Sequence, residues 1–147
     1  MPLRETVPQD ILEFAPNMRE ADKQEVRSLS GLDPLAVLST GLFHSKPCMT
    51  GVDEQGEIVL ICGVVPNGGV GSIWMLSTDA ITQNKRELIR EGRRWVDEQS
   101  ALYRVLTNVV DERNVVHQRL IKHMGFKFGD PINNVGVEGI RVLPFER

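Results

Sequence analysis

The sequence predicts an α+β fold in one domain over residues 1–147: a mixed, mostly antiparallel central sheet with helices on both faces. Three observations predict it. Two apolar segments, Cys48–Val52 and residues 57–65, are joined by the polar turn Asp53-Glu54-Gln55-Gly56. A second turn, Asn67-Gly68-Gly69, leads into residues 71–76, so three antiparallel strands follow one another. In residues 80–99, Ile81, Leu88 and Trp95 recur every seven positions with Ile89 and Val96 beside them. That spacing draws one apolar stripe down a long helix whose other faces carry Lys85, Arg86, Glu87, Arg90, Glu91, Arg93 and Arg94.

The remaining elements follow in chain order. Residues 7–14 read as a first edge strand, with Pro8 holding it at the sheet margin and Pro16 breaking it. Residues 17–29 read as a helix ended by Gly31, and Asp33-Pro34 opens a second helix reaching residue 42, with Asp33 as cap and Pro34 at the first helical position. Residues 102–110 are apolar enough for a strand covered on both faces. Residues 126–128 start another strand, Gly129-Asp130-Pro131 turns, and residues 135–142 return as the closing member of a hairpin.

Composition excludes several classes of function. A chain of 147 residues that is 41% hydrophobic buries an ordinary core without staples. The formal charge of -3 argues against a dedicated nucleic-acid binder. The longest apolar runs are too short to span a bilayer and no apolar signal core opens the chain, so the protein is expected to be neither membrane-spanning nor secreted. Cys48 and Cys62 read as buried free thiols. His117 and His123 fall on different faces of one helix, so no metal site is expected.

The stretch from Asn114 to Phe126 carries the strongest functional signal. Val116, Leu120 and Met124 recur every four residues, Asp111 is placed to cap the helix, and Gly125 stands where a left-handed residue ends one, with Phe126 folding back on the last turn. Strand, Asn114, helix, then Gly125-Phe126 resembles the second half of the acyl-coenzyme A site in the GNAT superfamily of N-acyltransferases. The likeness can be followed from about residue 10 to residue 142, and the order of elements is that of the superfamily. If acetyl-CoA is bound, the resemblance assigns Leu76, Thr78, Lys85, Asn114 and His117 to its site, with no catalytic and no metal residue. His117 faces the cofactor groove as a base or is a partly exposed helix histidine.

The other half of that site departs from the pattern. Where such enzymes place a glycine loop whose N–H groups hold a pyrophosphate, this chain has Ser77-Thr78-Asp79-Ala80-Ile81-Thr82-Gln83-Asn84-Lys85-Arg86, without glycine. Asp79 is expected to cap the long helix with its carboxylate, occupying the anion site with protein, and Lys85 and Arg86 read as solvated. The frequent general-acid tyrosine corresponds to Ile121. Tyr103, the one tyrosine, reads as a packed aromatic of the central strand.

Residues 58–128, with Trp74-Met75-Leu76-Ser77-Thr78-Asp79 and His117-Gln118-Arg119-Leu120, also resemble small GNAT-like internal virion proteins of short-tailed bacteriophages. That resemblance implies a virion or assembly protein, in the virion or the host cytoplasm, using a degenerate scaffold as an interaction module. Its partners would be other virion proteins and it would need no cofactor. The alternative is an acetyl-CoA-dependent N-acyltransferase with an atypical pyrophosphate loop.

Overall fold

The computed structural model describes residues 2–147. Its sheet is built outward from β3 (Ile58–Asn67), an unbroken apolar run in which Val59, Leu60, Ile61, Cys62 and Val64 are all buried. β2 (Cys48–Val52) pairs with it antiparallel across the Asp53 turn, where Asp53 Oδ1 accepts the N–H groups of Gln55 and Glu57, each at 2.9 Å. Gly56 supplies the positive φ of +81° that this turn requires. β4 (Val70–Ser77) pairs antiparallel on the other side, and β5 (Val105–Asp111) runs parallel to β4. β8 (Ile140–Glu146) lies antiparallel to β5 and carries β6 (Lys127–Phe128) and β7 (Ile132–Val135), while β1 (Leu3–Glu5) edges β2. The order is β1-β2-β3-β4-β5-β8-β6, mixed and mostly antiparallel as expected.

Helices cover both faces. α4 (Lys85–Ser100) crosses from β4 to β5, and α5 (Val115–His123) packs beside it. Together they close a core containing Leu88, Trp95, Leu106, Leu120 and Met124. α1 (Pro8–Phe14), α2 (Glu20–Ser30) and α3 (Pro34–His44) cover the opposite face over Phe14, Val26, Leu38 and Leu76. β4 shows the division residue by residue, with Ile73 and Met75 in the first core and Trp74 and Leu76 in the second. Trp95 is 8% exposed and Leu88 3%, as the seven-residue spacing predicts. Trp95→Ala is expected to cost about 3–5 kcal/mol, read by urea denaturation; unchanged stability would contradict this packing.

The expected and observed elements differ in five places, one being α2, which starts at Glu20 rather than residue 17 because Ala15–Asn17 form a 3₁₀ turn and Met18 bridges to Thr78. Residues 7–14 hold a helix rather than an edge strand. Ile11, Phe14 and Ala15 have helical spacing, Pro8 occupies the first helical position, and Asp10 Oδ2 accepts the Val7 N–H at 2.9 Å while pairing with Arg4 at 2.7 Å. The long helix begins at Lys85, not at residue 80, because a 3₁₀ turn over Asp79–Gln83 buries Ile81 first. β5 begins at Val105, since residues 102–104 form a turn with Leu102 71% exposed. Residues 135–142 contain the β7–β8 turn, so they are not one strand, and β8 stands between β5 and β6.

That β7–β8 turn reaches across to α2. Val137 N–H donates to Leu29 C=O at 3.3 Å and Glu138 N–H to Ser28 C=O at 3.0 Å, with Ser28 Oγ on Glu138 Oε1 at 2.8 Å. Gly136 has φ +78°, and a Cβ there would meet Leu29 Cα at 2.6 Å. The last carbonyls of α2 are therefore satisfied by the hairpin tip as well as by the left-handed Gly31, φ +74°.

Candidate functional site

Parallel strands β4 and β5 pair only where Val70–Ser72 meets Val105–Thr107, and beyond these residues they separate. At the near end of the gap, Asn108 Nδ2 donates to Ile73 C=O at 2.7 Å. At the far end, Ser77 N–H donates to Asp22 Oδ2 at 2.9 Å. Alternate residues of a strand direct their backbone groups to the same side, so Met75 N–H and C=O, between Ile73 and Ser77, also point into the gap. A cavity of about 430 Å³ occupies it and is lined from both faces of the sheet. Val26, Leu29, Val37 and Trp74 contribute from the α2–α3 side, and Leu88, Trp95, Ile121 and Met124 from the α4–α5 side.

A buried polar cluster closes the wide end. Arg19 N–H donates to Ser77 C=O at 2.9 Å, which lays the start of α2 against the end of β4. Asp22, fully buried, then accepts from Arg19 Nη1 at 3.0 Å, Asn114 Nδ2 at 2.9 Å and Ser77 Oγ at 3.2 Å, in addition to the Ser77 N–H. His117 Nε2 lies 3.0 Å from Ser77 Oγ and 3.3 Å from Asp22 Oδ2. Burial holds the His117 imidazole below its usual pKa, although Asp22 opposes the shift and Arg19 adds to it. Every member is hydrogen-bonded, as charges removed from water require.

Glu25, one turn beyond Asp22 on α2, lines the cavity and is half-buried. Its Oε1 accepts the Asp111 N–H at the end of β5. Burial pushes its carboxyl from 4.5 up to about 7, and Asp22 and Asp111 push in the same direction against the bonds from Asp111 N–H and Asn114. The sequence reading passed over Asp22 and Glu25. Their signal was available: both lie in line with Val26 and Leu29 along α2, two carboxylates on the face that the apolar residues mark as inward.

Of the residues assigned to the cofactor, Leu76 and His117 line the cavity, and His117 is buried rather than partly exposed. Asn114 is 2% exposed and holds Asp22, its Oδ1 accepting from Arg19 Nη1 at 3.3 Å. Thr78 and Lys85 stand outside the cavity wall, in the connection to α4. Tyr103 lies in the turn before β5 and donates to Lys46 C=O at 3.3 Å. Cys48 and Cys62 are buried free thiols, both with pKa raised by burial. Among the described residues no group of three His, Cys, Asp or Glu side chains converges for a metal.

Asp79 does not cap the long helix. It is exposed at the start of the 3₁₀ turn, and the capping oxygen belongs to Thr78, which accepts the Ala80 N–H at 3.3 Å. Asn84, at the start of α4, directs its Nδ2 to Ala80 C=O at 2.9 Å, so the first-turn N–H groups of α4 have no side-chain cap. Asp111 does not cap α5 either, because its carboxylate is held by Arg113 N–H at 2.9 Å and by the Arg113 guanidinium. Thr78→Ala is therefore expected to cost about 0.5–2 kcal/mol in denaturation, and Asp79→Ala less than about 0.5 kcal/mol.

No protein-family profile and no curated protein matches the chain. Solved structures do match over nearly the whole of this chain. A GNAT superfamily phosphinothricin acetyltransferase from Sinorhizobium meliloti, in complex with AcCoA, superposes with a TM-score of 0.72 at 17% identity, covering 99% of this chain and 86% of that one. A ribosomal-protein-alanine N-acetyltransferase from Brucella melitensis gives 0.71 at 14% identity, covering 100% and 99%. A spermidine N-acetyltransferase mutant from Vibrio cholerae gives 0.68 at 11% identity, covering 99% and 94%. At these identities the likeness establishes the fold, which is that of the GNAT acetyltransferases. None of these comparisons carries the likeness to phage virion proteins.

Proposed function

We propose that the protein is an acyl-coenzyme A-dependent N-acyltransferase. The observation that carries this reading is the opening between β4 and β5, where the unpaired edge of β4 presents Met75 N–H and C=O to a cavity reached from both faces. Met75 C=O suits an amide N–H of a coenzyme A arm laid along the strand, which leaves Met75 N–H for the acyl oxygen. The uncapped first turn of α4, with exposed Lys85 and Arg86 beside it, suits the diphosphate even though no glycine brings the backbone closer. When bound, the cofactor supplies the activated acyl group as a thioester.

The chain's own residues provide the rest. Glu25, with its carboxyl near pH 7, takes the proton of an amine entering from the α2–α3 side. Met75 N–H, fixed by the strand, stabilises negative charge developing on a carbonyl oxygen in the gap. The Asp22 cluster holds Asn114 and the start of α5 against β4, and the apolar walls exclude water. Ile121 can donate no proton to a leaving thiolate.

Calorimetric titration with acetyl-CoA is expected to show saturable binding in the micromolar range, weakened about tenfold or more by Lys85→Glu. The competing reading, a non-catalytic interaction module in a phage virion, draws on the missing glycines and on Ile121. It predicts no heat up to millimolar acetyl-CoA, and that result would end the enzymatic reading.

A further inference from the structure

The three acetyltransferases above are named for unlike acceptors, so the shared fold does not choose one for this chain. The α2–α3 side of the cavity does. Its walls are Val26, Leu29, Val37 and the ring of Trp74, and its rim carries the exposed Thr40 and His44. The Trp74 ring is fixed close against the α3 backbone: a Cβ on Gly41 would meet its Cζ2 at 2.8 Å. Its one polar atom is already used, since Nε1 donates to Ser45 Oγ at 2.8 Å. Trp74 therefore offers the cavity only its apolar ring.

Glu25 is the acidic side chain lining this side of the cavity. Of the cations near it, Arg113 feels the Glu25 charge but is paired with Asp111, and Arg19 is buried and held by Asp22 and Asn114. A polyamine would bring further ammonium groups against Val26, Val37 and Trp74, since the other lining carboxylate, Glu91, lies on α4 across the sheet, and an acidic amino acid would bring a carboxylate with only the exposed rim imidazole of His44 to receive it. Either arrangement leaves a buried charge without an adequate partner.

Resting on the acyltransferase reading, we propose that the acceptor is a primary amine on an uncharged apolar body, alkyl or aryl. Its nitrogen meets Glu25 and its body lies against Trp74, Val26, Leu29 and Val37. The amine enters uncharged, its lone pair forms the C–N bond with the acyl carbon, the nitrogen passes one proton to Glu25, and the C–S bond breaks to release the amide and coenzyme A thiolate.

Hexylamine, phenethylamine, spermidine and glutamate can be compared in two assays on the whole protein. One follows intrinsic fluorescence, since Trp74 and Trp95 both line the cavity. The other follows thiol release from acetyl-CoA. Hexylamine and phenethylamine are expected to shift the emission saturably and to give kcat/KM at least about tenfold above spermidine and glutamate. Val37→Asp, with folding checked by circular dichroism, should reverse the order of hexylamine and spermidine in both assays, because it adds a second carboxylate to the wall. Preference of the wild type for spermidine or glutamate would overturn the proposal, as would an amine response indifferent to Val37→Asp. The fluorescence assay needs no cofactor. A saturable hexylamine shift in protein that gives no heat with acetyl-CoA would leave the amine site standing and remove the acyltransferase, whereas acetyl-CoA turnover favouring spermidine would do the reverse.

Discussion

Asp22→Ala is expected to destabilise the fold by about 3–5 kcal/mol in urea denaturation, the range for removing one partner of a buried ion pair. Asp22 is fully buried and five polar atoms lie within 3.3 Å of its carboxylate, from Arg19, Asn114, Ser77 N–H, Ser77 Oγ and His117. Removing it leaves the Ser77 N–H without an acceptor and the buried Arg19 charge without a carboxylate, with only the neutral Asn114 Oδ1 still accepting from it. The double variant Asp22→Ala/Arg19→Ala should lose less than the sum of its parts, because the stranded charge is gone. A loss below about 1 kcal/mol for Asp22→Ala would mean that water reaches the cluster and satisfies it, and the closed end of the gap would have to be abandoned.

Glu25→Gln should move activity and stability in opposite directions. Loss of the base is expected to lower kcat by about 10²–10⁴-fold. The wild-type rate should climb with pH through about 7, as the Glu25 carboxyl ionises, and the variant should lack that limb. For stability the sign is reversed. A carboxyl raised from 4.5 to about 7 on folding favours the folded state while it is protonated. That contribution is complete below pH 4.5 and is lost as pH rises through about 7, which makes the ionised group a burden of about 3 kcal/mol at pH 8. Glu25→Gln should therefore gain stability relative to wild type at pH 8 and not at pH 4. Loss of activity with no such pH-dependent gain would show that Glu25 acts by position rather than as a titrating base.

The elements legible in the sequence were those fixed by local chemistry. Asp33-Pro34 opens α3, with Asp33 Oδ1 accepting the Ala36 N–H at 2.8 Å, and the Asp53 turn sets the β2–β3 hairpin. α1 escaped because Pro8 suits both an edge strand and a first helical position, and seven residues are too few for periodicity to decide. The start of α4 was misplaced because Ser77, Thr78 and Asp79 all resemble caps. The deciding fact, that a 3₁₀ turn and not the helix itself carries Ile81 into the core, is a property of packing and not of local preference. Asn114 and His117, singled out in the sequence, both fall in the buried cluster around Asp22. What they contact there, Asp22 and Ser77, is up to 95 residues distant, a separation across which no spacing rule operates.

The clasp of the β7–β8 turn on α2 also sets a timetable for folding. α2 carries both Asp22 and Glu25, and its final carbonyls are received by Val137 and Glu138, more than 100 residues later in the chain. α2 also depends on Ser77 and Asn114, so it draws its partners from three widely separated segments. A ribosome emitting this chain releases the first half of the gap, α2 and β4, long before the turn that secures it. Until residues 136–138 emerge, the end of α2 has unanswered carbonyls and Trp74 and Leu76 lack a fully anchored cover. The site is thus closed by long-range contacts, which sets this mixed fold behind helical bundles in expected folding speed.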